Sequence, residues 1–281
     1  MRHYLSWIEG LTTKLYVGGS NPSWRTTYNH RQTKMVWLFY FESGRMVGTA
    51  KDIISSTDLD ALGVEITETD RGLALVGDGM ELIADFARMK PRLKPANLKR
   101  ELLVQAARVK DADHAPSVID ATAGFGEDAI LLAAAGFSVT MFEHNPIIVA
   151  LLRDALSRAA QDDMLAPAVA RMNLIEGDSI QALETIASSP DVVYLDPMFP
   201  ERTKSAAVKK KFQLLHRVEL PCPNEAKLLE AASASKPRKI VIKRTLKGPY
   251  LAARKPHYSL KGKAIRYDCF AFASETRIPN A

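Results

Sequence analysis

The chain has 281 residues, 47% hydrophobic and 25% charged, which is ordinary for a globular protein and enough to bury a sizeable core. It has no run of eighteen apolar residues, no signal-peptide pattern at its start, and two distant cysteines (Cys222, Cys269) that form neither a disulfide framework nor a metal-ligand spacing. These features exclude membrane-spanning and disulfide-scaffold classes, and a cytoplasmic protein with no metal and no membrane partner is expected.

Residues 1–34, with Trp7 and Trp24 in a polar setting around Gly18-Gly19-Ser20-Asn21-Pro22, show no sustained period and are expected to be poorly ordered or an appended segment. Over residues 35–95, short extended runs at 36–41, 64–67 and 73–76 predict a small β-rich N-terminal domain. A helix is expected over 81–89, ending at Lys90-Pro91, with a basic linker over 91–95. Residues 96–281 are expected to form the main domain. It opens with an amphipathic helix over 97–109, after which strands and helices alternate. Strands are expected at 118–119, 137–142, 172–176, 191–195 and 239–243, helices at 128–135, 146–160, 179–187 and 224–233, and a last extended run at 265–272. This alternation predicts an α/β fold with a doubly wound, Rossmann-like parallel sheet that gathers ligands at the carboxyl ends of its strands.

The sequence from Val118 to Asp128, Val-Ile-Asp-Ala-Thr-Ala-Gly-Phe-Gly-Glu-Asp, reads as strand, glycine loop and helix start. Gly124 and Gly126 allow a sharp turn and let a ligand lie against backbone N–H groups. No Gly-Lys-Ser/Thr follows, so a triphosphate site is not expected. Asp120, Gly124, Gly126 and Glu127 are candidate cofactor contacts around this loop. Asp128 is the candidate that separates two nucleotides. A carboxylate there would repel the pyrophosphate of NAD but attract the α-ammonium of S-adenosylmethionine. Glu143 ends the second strand, where a carboxylate can accept ribose hydroxyls, with His144 as a neighbouring wall. Asp178 ends the third strand and can read an adenine amine, with Ser179 beside it.

At the end of the fourth strand stands Asp196-Pro197-Met198-Phe199-Pro200. It resembles the Asp/Asn-Pro-Pro-Tyr/Phe motif of methyltransferases acting on exocyclic base amines. The lone pair of an aryl amine is delocalised into the ring. A carboxylate (Asp196) and a main-chain carbonyl (Pro197) that each accept one N–H orient that lone pair, and Phe199 offers a stacking face for an extruded base.

With its continuation Glu201 to Lys210, the loop from Asp120 to Asp128, Phe142-Glu143-His144-Asn145-Pro146 and Val241-Ile242-Lys243-Arg244, the chain closely resembles the bacterial ribosomal RNA small subunit methyltransferase J family over residues 60–275. The resemblance implies a class I methyltransferase sheet, S-adenosylmethionine as cofactor and the N2 amine of a guanine in 16S ribosomal RNA as target. It puts cofactor contacts on Glu127, Asp128, Glu143, His144, Asp178, Ser179 and Asp196. In one departure, residues 91–100 carry prolines and lysines where the family typically has a basic Gly-rich run.

The formal net charge of +6 is unevenly spread. Between Arg202 and Arg266, eighteen Lys/Arg meet three acids, a local +15 that leaves −9 for the remainder. Lys204, Lys209, Lys210 and Lys211 after the fourth strand, and Lys243 and Arg244 following the next, are candidate RNA contacts, with ribosomal RNA or the small subunit as partner. Two other readings fit these residues: a methyltransferase of the same fold acting on another RNA or DNA base amine, and a non-catalytic RNA-binding assembly protein. The oligomeric state is not indicated.

Overall fold

The computed structural model describes residues 24–26, 37–39, 56–110, 114–197, 214, 217–218 and 224–272. Contacts divide the chain into two units, Met1–Ser56 and Thr57–Ala281. In the first, β1 (Trp24–Thr26) pairs antiparallel with β2 (Trp37–Phe39), with Trp24 opposite Phe39. The pair spans the boundary expected at residues 34/35.

The second unit begins with helix α1 (Ser56–Leu62) and a three-stranded antiparallel sheet, β3 (Glu65–Thr69), β4 (Gly72–Gly77) and β5 (Met80–Ile83). A 3-10 turn (Phe86–Met89) and the short helices α2 (Lys90–Leu93), α3 (Pro95–Leu98) and α4 (Leu102–Ala107) lead into the main sheet. This stretch corrects the expected helix over 81–89 and linker over 91–95. Met80–Ile83 completes the small sheet by pairing with β4, Asp85 accepts the N–H of Ala87 to start the 3-10 turn, and Pro91 opens α2 rather than ending a helix. The helix expected over 97–109 is limited to Leu102–Ala107.

Among the described residues the main domain then runs β6 (Ser117–Asp120), α5 (Glu127–Ala134), β7 (Ser138–Glu143), α6 (Pro146–Ala159), α7 (Ala166–Val169), β8 (Met172–Glu176), α8 (Ser179–Thr185), β9 (Val192–Leu195), α9 (Glu225–Ala234), β10 (Lys239–Thr245), β11 (Tyr258–Lys261) and β12 (Ile265–Ala271), with strand and helix alternating from β6 to β10 except for the extra short helix α7. The seven strands lie in the order β11-β12-β10-β9-β6-β7-β8. The five from β10 to β8 are parallel, whereas β12 runs antiparallel to both β10 and β11. β11 has no counterpart in the pattern expected from the sequence. The central parallel strands are apolar because they are buried on both faces: Val192, Val193, Tyr194 and Leu195 of β9 are all at most 1% exposed, whereas the edge strand β8 is partly exposed. From α5, Ala129 to Ala133 are fully buried.

After β6 the chain steps outward through β7 to β8, then returns to lay β9 against the other side of β6. Strand order therefore reverses between β6 and β9, and the carboxyl ends of these two strands flank the switch-point crevice where doubly wound sheets bind ligands. The small sheet is anchored to α6: Leu73 N–H donates to Asp154 Oδ2 (3.0 Å) and Arg158 donates to the Ala84 carbonyl (2.5 Å). A side chain at Gly72 would collide with Asp154 and Arg158, so this glycine lets β4 approach the helix.

Candidate active site

The glycine loop departs from β6 at Asp120 and closes on α5. Gly124 (φ 52°) and Gly126 (φ 70°) both take the left-handed conformation, and Gly126 is the N-cap of α5. Their surroundings differ. A Cβ on Gly126 would press on Leu152 and Phe86 at 3.0 and 3.1 Å, whereas one on Gly124 would meet nothing within 4 Å. Gly126 is thus a packing glycine, and Gly124 borders open space.

Glu143, at the end of β7, is 4% exposed and accepts the N–H groups of Gly124 (3.0 Å) and Asn145 (2.8 Å). Burial pushes its carboxyl up, opposed by the Asn145 N–H, by the adjacent His144 and by the Gly124 N–H. Each carboxylate oxygen keeps lone pairs for further donors. The His144 side chain is 66% exposed, with Nδ1 3.6 Å from Glu143. Asp178 is exposed and caps α8 through the N–H of Ile180 (2.8 Å), which places Ser179 at the first helical position. Glu127 is half-exposed at the start of α5, where it pairs with Arg88 at 3.4 Å.

Opposite the loop, Asp196 leaves β9 with its N–H donating to Thr122 Oγ1 (2.6 Å), which ties the two switch-point loops together. Lys243, on the neighbouring β10, donates to Asp196 Oδ2 (2.8 Å) and to Asp128 Oδ2 (2.7 Å). Tyr194 Oη donates to the same Asp128 oxygen at 2.6 Å. Burial works against the Lys243 charge, but the two carboxylates outweigh it and hold the ammonium above the ordinary lysine value. Burial, reinforced by the Asp128 charge, pushes the phenols of Tyr194 and Tyr267 up, so both stay protonated. Asp120 is 1% exposed, accepts the Thr122 N–H, and is pushed up to about 8 by burial. It is a neutral acid at pH 7, set behind the loop rather than on its surface.

The loop, Asp128, Glu143, Asp178 and Asp196 thus share one edge of the sheet. Pro197 follows Asp196 and is buried. Phe199, Lys204, Lys209, Lys210 and Lys211 lie outside the described residues. Two expected phosphate contacts are turned inward. Lys243 is engaged by two carboxylates, and Arg244, 3% exposed, faces Glu225 and donates to the Pro249 carbonyl (2.8 Å). Thr122, Tyr194 and the bridging role of Lys243 escaped the sequence reading, because each sits in a run that reads simply as loop, core strand or basic surface.

The site fits S-adenosylmethionine. Gly124 borders free space beside the buried Glu143 carboxylate, and two carboxylates against one ammonium leave the Asp128–Lys243–Asp196 cluster with one formal negative charge. A ligand bearing a sulfonium, an ammonium and a carboxylate is complementary to it. No group of three or more His, Cys, Asp or Glu side chains suited to a metal occurs among the described residues.

The family model described as "Putative SAM-dependent methyltransferase" matches residues 58–272. Ribosomal RNA small subunit methyltransferase J of Thioalkalivibrio sulfidiphilus is 42% identical over 185 residues, covering 65% of this chain and 72% of that protein. Its counterpart in Marinobacter nauticus is 37% identical over 241 residues, covering 79% and 87%. The crystal structure of a SAM-dependent methyltransferase from Neisseria gonorrhoeae superposes with a TM-score of 0.60 at 30% identity, over 74% of this chain and 83% of that one. With the class I strand order and a complementary cofactor site, these similarities show that the chain belongs to the ribosomal RNA small subunit methyltransferase J family of SAM-dependent methyltransferases.

Proposed function

We propose that this protein methylates the N2 amine of a guanine in 16S ribosomal RNA, presented as RNA or within the small subunit, in the cytoplasm. The observation that carries the reading is Asp196, held at the switch point between the glycine loop and Lys243. In this reading Asp128, Glu143, His144, Asp178 and Ser179 hold the cofactor, with the backbone at Gly124 lining the space it enters and Gly126 packing the loop against α6. Glu127 stands at the rim, and Asp120 supports the loop from behind.

Bound S-adenosylmethionine supplies an electrophilic methyl group. The protein's own task is to make the guanine amine a nucleophile. Asp196 accepts one amine N–H and the Pro197 carbonyl the other, which turns the lone pair out of conjugation and places negative charge where positive charge develops on nitrogen. Phe199 stacks on the base, and Lys204, Lys209, Lys210 and Lys211 hold its phosphates. Lys243 fixes the Asp196 carboxylate through its hydrogen bond to Oδ2. After transfer the surplus amine proton leaves by way of Asp196 to solvent. We further propose that residues 35–95 form a small β-rich N-terminal domain and residues 96–281 the methyltransferase domain, with 1–34 an appended segment.

The test is transfer of labelled methyl groups to small ribosomal subunits from cells lacking the modification, with the product nucleoside identified by mass spectrometry. N2-methylguanosine is expected. Label on another base would redirect the target, and RNA binding without any transfer would favour the assembly-protein reading.

A further inference from the structure

Past the active-site strands, β12 and the edge strand β11 carry the sheet beyond β10. Here the chain folds a groove of about 530 Å³ between the segment after β10 and β11 itself, bordered by Lys247, Tyr250, Lys255, His257, Tyr258 and Lys261. Residues 231–267 contain eleven Lys/Arg and no acid. Several of these cations are used inside the fold: Arg266 pairs with Asp268, and Lys239 donates to the Ala106 carbonyl. Lys247, Lys255 and Lys261 are instead exposed, and none has an ion-pair partner among the described residues.

Aromatic rings are interleaved with these charges. Tyr258 is 41% and Tyr250 39% exposed, which is unusual for rings of this size. Tyr250 is braced by Arg266, whose guanidinium carbon lies 5.0 Å from its ring centre. His257 is fixed by the N–H of Ala271, which donates to Nδ1 (3.0 Å), and by its tilt against Phe270. Exposed cations without partners beside fixed, exposed rings match a single-stranded nucleic acid, whose phosphates take the charges and whose bases take the ring faces. An acidic peptide would satisfy only the lysines.

Resting on the function proposed above, we propose that this groove docks single-stranded RNA flanking the target guanine, with phosphates on Lys247, Lys255 and Lys261 and a base stacked on Tyr258. β11 lies three strand spacings from β9, roughly 14 Å from the strand that carries Asp196. One continuous strand can therefore occupy both places. The groove contributes register and affinity and leaves the chemistry to Asp196.

The test is fluorescence anisotropy of fluorescein-labelled oligouridylate with the full, cofactor-free chain across a salt series. Lys247→Ala/Lys255→Ala/Lys261→Ala is expected to weaken binding at least tenfold and to reduce the log–log salt slope by about 2, while Lys261→Ala alone reduces it by about 0.7. Tyr258→Ala is expected to weaken binding about fivefold or more with the slope unchanged. Cofactor affinity should stay at the wild-type value in each variant, which reports an intact fold. Wild-type RNA affinity and slope in the triple variant would overturn the proposal, as would displacement of the RNA by polyglutamate as readily as by unlabelled oligouridylate. Because no methyl transfer is read, the groove and the methylation reading can fail separately.

Discussion

The ammonium of Lys243 lies 2.8 Å from Oδ2 of Asp196, so the cation of one strand fixes the carboxylate at the end of the next. The same ammonium holds Asp128 at 2.7 Å, which links the expected methyl-acceptor side of the site to the glycine-loop side.

Replacing Lys243 with Met leaves Asp128 and Asp196 facing each other without a cation. Turnover is expected to fall about a hundredfold, the scale of losing a preorganised electrostatic contact. Stability should fall by about 1–3 kcal/mol, below the range for a fully buried pair because a quarter of the Lys243 side chain is exposed. Lys243→Arg should recover part of the rate. Steady-state kinetics with denaturant unfolding of both variants checks this, and a Met variant with normal turnover would show that Lys243 is incidental.

The phenol of Tyr194 is buried and donates to Asp128 at 2.6 Å. Tyr194→Phe removes one hydrogen bond to a charged acceptor, about 1.5–3 kcal/mol. The expected signature is weaker cofactor binding in calorimetry with a smaller change in kcat, because Asp196 keeps its own contact with Lys243.

Gly124 and Gly126 should respond differently to Ala. Both lose a left-handed glycine, a backbone cost of about 1 kcal/mol. Gly126→Ala also drives a methyl group against Leu152 and Phe86, so its thermal midpoint should fall further. Gly124→Ala places the methyl group in open space and should mainly raise the Kd for the cofactor. Equal effects of the two changes on both properties would contradict the assignment of that space.

Burial holds the Asp120 carboxyl at about 8, well above its value in the unfolded chain. The folded state therefore binds this proton more tightly than the unfolded state. The resulting stabilisation is fully present below pH 4 and is lost as pH rises through about 8. Asp120→Asn should unfold with a shallower loss of stability between pH 5 and 8.5 than the parent, measured by urea titration at each pH. Parallel curves would remove the buried-acid assignment.

Much of this architecture is legible in the sequence, because each central strand is an apolar β-rich run that ends in a Gly or acidic turn. Asp120, Glu143, Asp178 and Asp196 all stand at such ends, and sheet topology brings those ends to one edge. The inward role of Lys243 is not legible. A lysine in a basic third reads as solvated, and only the pairing of β10 with β9 carries it to Asp196. Met80-Glu81-Leu82-Ile83 fits a helix period as well as a strand period, and the β4 partner decides between them. Tyr258–Lys261 was missed because a four-residue edge strand carries too little alternation to stand apart from its loops.

The most direct test is the single-turnover rate of methyl transfer to small subunits by Asp196→Asn at saturating cofactor, beside the parent protein. The account predicts that the rate at saturating cofactor falls at least about a hundredfold with the unfolding midpoint little changed, because the amide no longer offers the carboxylate that orients and neutralises the amine. An undiminished rate would contradict it and move the chemistry away from the end of β9.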